Sequence, residues 1–108
     1  MKIILFQGGG PGVTYKLPGE NPMAELSELL DGPVELTPLS GRLALVSRED
    51  GEAQRLSIRY ALHRLGREVE PIAGDCAVVA VCDQRGRLRE AGAEDIAAAM
   101  DYVRPREG

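Results

Sequence analysis

Ile72-Ala73-Gly74-Asp75-Cys76-Ala77-Val78-Val79-Ala80-Val81-Cys82-Asp83 is an apolar run of strand length. Gly74-Asp75 opens it, and an Asp83-Gln84-Arg85-Gly86 turn closes it. Small and β-branched residues fill both alternating faces, the pattern of a central strand covered on both sides. The run also carries both cysteines of the chain. In an extended strand, residues six apart lie about 20 Å from each other along one face. A disulfide accepts only about 4.4–6.8 Å between Cα atoms. Cys76 and Cys82 therefore read as two small buried hydrophobes in a reducing cell. An apolar mid-strand setting raises a thiol's pKa, which leaves Cys76 inert as a nucleophile.

Working outward, Lys2–Gln7 is nearly all apolar and reads as a first, internal strand. Gly8-Gly9-Gly10-Pro11-Gly12 breaks it, and Val13–Leu17 alternates like a half-exposed second strand able to pair with the first as a hairpin. Asn21-Pro22 starts a helix, with Asn at the cap and Pro at the first helical position. Met23, Leu26, Leu29 and Leu30 fall on its inner face, and Asp31-Gly32-Pro33 ends it. Val34–Leu39 alternates, and Pro38 implies an edge position or a strand end. Arg42–Arg48 forms another strand, followed by a tight turn at Glu49-Asp50-Gly51-Glu52. From Ser57, the apolar residues Ile58, Ala61, Leu62 and Leu65 recur at helical spacing, with Gly66 as a stop, and predict a short helix. After the long strand and a Gly86 turn, a last helix is expected from about Ala93 to Val103, burying Ile96, Met100 and Val103 and stopped by Pro105.

The expected fold is α+β: a mixed or antiparallel sheet of about four to six strands, with two or three helices packed on one face. A chain of 108 residues reads as one domain spanning 1–108, able to bury a core without metal or disulfide support. Aromatics supply 4% of it, so the core rests on Leu, Val, Ile and Ala. The formal net charge of −4 argues against a generic nucleic-acid binder, which carries a strongly basic domain. Met1–Phe6 is too short for a signal peptide, and no apolar segment approaches the roughly 18 residues of a membrane span. A soluble, cytoplasmic protein is expected.

In order, several pieces resemble a small bacterial and phage family, domain of unknown function 3846. They are Lys2–Gln7, Met23–Leu30, Gly32–Leu39, Leu45–Glu52 and Ile72–Val79, with a possible tail at Glu94-Asp95-Ile96. Family members tend to carry Asn where this chain has Ser47, and Asn soon after the turn, where Ile58 and Arg59 lie. The resemblance implies carriage on phages and other mobile elements. It brings no activity and no catalytic residues.

Two candidate contact surfaces follow from the residues. Gly8, Gly9, Gly10 and Gly12 suggest a phosphate-cradling loop. However, strand-forming Val13-Thr14-Tyr15 comes next and the Gly-Lys-Ser/Thr signature is missing, so a mobile hairpin loop is the better account. Arg55, Arg59, His63 and Arg67 recur at four-residue intervals, with Arg64 beside them. On a helix they make a basic stripe suited to an anion, a nucleic acid or an acidic partner. A solvated face paired with Glu52, Glu68 and Glu70 accounts for the same pattern. His63, the only histidine, has no ligand-spaced partners for a metal and no nucleophile to serve.

No catalytic constellation, metal site or cofactor motif is legible. The expected function is that of a small non-catalytic accessory protein of a phage or mobile element, acting by protein–protein binding and modulating a host process such as a defence nuclease. The alternatives are a nucleic-acid or nucleotide-binding module using the stripe from Arg55 to Arg67, and a homo-oligomeric scaffold joined through a strand edge.

Overall fold

The computed structural model describes residues 1–50 and 57–106. In chain order its elements are β1 (Lys2–Gln7), β2 (Val13–Lys16), α1 (Pro22–Leu30), β3 (Val34–Pro38), β4 (Leu43–Arg48), β5 (Ile58–Arg64), β6 (Arg67–Ala73), β7 (Cys76–Cys82), β8 (Leu88–Arg89), α2 (Ala93–Met100) and β9 (Val103–Pro105).

The α+β expectation is overturned. Strands make up 48% of the structure and helices 16%, and the strands form two antiparallel sheets. The larger sheet runs β2-β1-β7-β4-β3 with β8 added on β7, and the smaller runs β6-β5-β9. The two helices do not share a face. Leu26 of α1 packs with Ile3, Leu5, Val46, Val78 and Ala80 on one side of the large sheet. Ala99 of α2 packs with Ile4, Phe6, Leu45, Val79 and Val81 on the other, where Tyr60, Leu62 and Ile72 of the small sheet join the same cluster.

β7 explains this layering. Ala77, Val79 and Val81 enter one core and Val78 and Ala80 the other, and all five are at most 3% exposed. Burying each valine is worth about 1.5–3 kcal/mol. The apolar run from Ile72 to Asp83 is nonetheless divided between two strands. Gly74, at φ +113°, breaks it, so that Ile72 and Ala73 close β6 in the small sheet while β7 starts at Cys76. The cysteines sit at the two ends of β7, both free and half-buried rather than fully buried. Burial, and next to it Asp75 or Asp83, pushes both thiols up.

β3 is the edge strand that Pro38 requires. In α1 the Asn21 side chain accepts the Ala24 N–H at 3.2 Å, and Asp31 caps the far end in the left-handed conformation. Met23 and Met100, expected inside, are both more than 40% exposed. The second helix stops at Met100, and Val103 is buried as part of β9. Asp95 is the buried charged residue of the described core, held by the Gly92 N–H at 2.8 Å and the Arg42 guanidinium at 3.0 Å.

The helix expected from Ser57 to Gly66 is strand β5 followed by a turn. Its apparent helical face fails at both ends: Ile58 is 43% exposed and Leu65 fully exposed. Tyr60 and Leu62 face the core, two apart as a strand requires. Arg64 pairs with Arg67, so Leu65 (φ +52°) and Gly66 (φ +78°) make a two-residue hairpin turn of the primed type. Asn, Asp or Gly normally fill such a turn. Leucine in the left-handed conformation costs about 1–2 kcal/mol.

Candidate binding surface

The glycine loop is tied down. Gly8 (φ +62°) and Gly9 (φ +76°) form a primed turn closed by Gly10 N–H to the Gln7 carbonyl at 2.9 Å. Tyr60, fully buried on β5, reaches the loop with its hydroxyl. The Gly9 N–H donates to Tyr60 Oη at 3.0 Å, and Oη lies 3.4 Å from the Gly10 carbonyl. Gly12 lies against Phe6, where a Cβ would come within 2.8 Å of the ring. Two of the amides that a phosphate would need are thus engaged internally, and the loop is a structural latch between the sheets rather than a free hairpin tip. Burial pushes the Tyr60 hydroxyl above its ordinary value, partly offset by the Gly9 contact.

The basic stripe is dismantled by the strand. Arg55 lies outside the described residues. Arg59 is exposed, its Nε 3.6 Å from Asp75. His63 is half-buried, with its Nδ1 unpartnered, and pairs in register with Glu68. Arg64 turns away to donate to the Leu39 carbonyl at 3.2 Å and the Pro38 carbonyl at 2.7 Å, fastening the small sheet to the end of β3. Arg67 is exposed across the turn from Arg64.

β9 adds what the stripe lacked. It pairs with β5, bringing Arg104 opposite Ala61, and the Arg106 N–H bonds the Arg59 carbonyl at 2.8 Å. Residues 58–73 and 103–106 therefore gather five arginines against two glutamates, a formal +3 within a chain of −4. The opposite pole is as marked. Residues 17–41 carry Glu20, Glu25, Glu28, Asp31 and Glu35 with no lysine or arginine, a formal −5. α1 and the small sheet cover opposite faces of the large sheet, so the acidic stretch and these arginines lie apart, while α2 with its C-cap, on the same face as the small sheet, adds Glu94, Asp95 and Asp101 beside them. Arg104 and Arg106 were missed in sequence because β9 read as the end of a helix. The Val103-Arg104-Pro105-Arg106 alternation was the available signal.

Two hollows open on the basic side. One, of about 630 Å3, lies between the glycine loop and the α2–β9 corner, where Phe6, Pro11, Met100, Val103 and Pro105 supply an apolar lining. The other, of about 500 Å3, lies under the hairpin turn between Leu65 and Tyr102. Asp101 and Arg104 border both.

A smaller cleft of about 230 Å3 brings together Asp31, Arg48, Ser57, Asp75 and Cys76. Its polar groups are largely engaged already. Arg48 is held by both carboxylate oxygens of Asp50 at 2.9 and 3.0 Å, and the Ser57 hydroxyl donates to Asp75. The Cys76 thiol is pushed up, away from the thiolate form a nucleophile needs. Among the described residues, no three His, Cys, Asp or Glu side chains gather where they could hold a metal ion. No helix among them is long and apolar enough to cross a membrane.

Comparison with protein-family models, with curated proteins and with solved structures returns no match.

Proposed function

We propose that this chain is a small non-catalytic accessory protein that acts by binding another protein, and that the side built from β5, β6 and β9 makes the contact. The observation carrying this reading is the joint presence, on that side, of a formal +3 and two apolar-lined hollows. Protein interfaces combine such apolar pockets with arginine. The resemblance to the domain of unknown function 3846 family implies carriage on a phage or other mobile element, and we read the protein as acting in the cytoplasm of its host. Modulation of a host process, such as a defence nuclease, fits that setting.

The second reading, nucleic-acid binding, draws on the same arginines. It is weakened by the aromatics: Tyr60, which would stack on a base, is fully buried. A tagged pull-down from host lysate, divided into nuclease-treated and untreated halves, separates the two. A specific protein retained in both halves supports the accessory-binder reading. Recovery that disappears with nuclease overturns it in favour of nucleic acid, whose affinity would also fall steeply with salt.

A further inference from the structure

We infer that the two hollows form one trough that receives an acidic segment of a partner protein bearing apolar side chains, with Leu65 as its apolar wall and Arg104 as its charged rim. The inference rests on the protein-binding reading and names the chemistry of the partner.

The first support is continuity. The hollows share Asp101 and Arg104 and so adjoin at the α2–β9 corner, with exposed Pro11 and Met100 on one side of that pair and Tyr102 and Leu65 on the other. The second is Leu65 itself. It is fully exposed, at 103% relative exposure, and its φ of +52° is a conformation in which a bulky side chain is disfavoured. The tertiary structure gains nothing from the leucine, because it touches no core. Asparagine or glycine would make the turn better. A strained residue that serves no packing role points to a role in contact. The third support is charge. Arg104 has no carboxylate partner among the described salt bridges, and Arg67 is exposed beside the turn. Against these, Asp101 is the single carboxylate of the trough. A segment with both carboxylates and apolar side chains matches the mixture, with the charges speeding encounter and the apolar groups slowing release.

The test uses the whole protein and fluorescence anisotropy. The probes are a short labelled peptide of alternating glutamate and leucine, the same peptide with serine for leucine, and a labelled DNA duplex. The expected result is saturable binding of the glutamate–leucine peptide, tighter than to either other probe. Leu65→Asn should weaken it by about fivefold or more, the effect of losing an interface anchor, while the urea midpoint stays level or rises. Arg104→Glu should weaken it by about tenfold. Arg85→Glu, in the remote loop after β7, should leave it unchanged.

Equal affinity for the serine peptide, preference for the duplex, or equal weakening by Arg85→Glu would overturn the trough and leave only general charge attraction. Absence of saturable binding would overturn it as well. The protein-binding reading fails separately, when the pull-down retains no protein after nuclease. A captured protein indifferent to Leu65→Asn and Arg104→Glu would sink the trough alone.

Discussion

Replacing Tyr60 by Phe removes one oxygen and leaves the ring where it packs, edge-on to Phe6 with centroids 5.9 Å apart. What is lost is the acceptor for the Gly9 N–H at 3.0 Å; the 3.4 Å approach to the Gly10 carbonyl contributes little. A neutral hydrogen bond nets about 0.5–1.5 kcal/mol, and stranding a buried donor costs about 1–3 kcal/mol. Gly9 itself is exposed, so water can reach its amide and the lower range applies. The expected loss is about 1 kcal/mol in urea unfolding, with an unchanged slope against denaturant. Amide exchange should locate the loss, with Gly9 losing protection while β7 amides change only by the global shift.

Alkali supplies a second readout. The folded state holds the Tyr60 hydroxyl above its ordinary value, chiefly by burial. Its contribution is therefore complete below about pH 10 and falls as pH rises through the raised value. The Phe variant should lack this component of the alkaline decline. A variant within about 0.3 kcal/mol of the parent, with Gly9 exchange unaltered, would refute the latch.

Two further outcomes follow from the same geometry. Gly12→Ala should destabilise by about 1–3 kcal/mol in the same urea assay, because its Cβ would meet the Phe6 ring at 2.8 Å and Ile4 Cγ2 at 3.0 Å. Cys76 and Cys82 should alkylate slowly with iodoacetamide at neutral pH and accelerate only above about pH 9, since burial raises both thiols. The same shifts make stability fall as pH rises through those values.

The residues that announced themselves share a property: their local pattern and their tertiary role agree. Asn21-Pro22 and Asp31-Gly32-Pro33 bracket α1 by backbone chemistry alone, and Pro38 marks β3 as an edge. Cys76–Cys82 is buried on both faces and reads so. β5 is the opposite case. Ala61 is buried on the strand's second face beside Pro71 and Arg104, so three consecutive buried residues, Tyr60 to Leu62, erase the alternation. Leu65 then supplies a false fourth point of a helical face. The hairpin stayed hidden because Leu-Gly is not a turn signature. The misreading carried over to the contact surface. Arg59, Arg64 and Arg67 were noticed, but as a helical stripe, while Arg104 and Arg106 enter only through the pairing of β9 with a strand some forty positions earlier.

β7 lies between two hairpins, β1–β2 and β3–β4, that are each complete by residue 48. Both hairpins are therefore synthesised in full before the strand that joins them. Until Cys82 has emerged, Ile3–Phe6 of β1 and Leu43–Val46 of β4 lack their central partner, and unpaired apolar strand edges of this kind favour aggregation. Closure requires a late strand to pair with two made earlier, through contacts such as Ile4 with Val79 that span most of the chain. Folding should accordingly be slow for so small a protein, in the millisecond-to-second range of non-local β topologies. Its commitment step is the arrival of β7, so chains arrested before that strand should be the ones that chaperones hold.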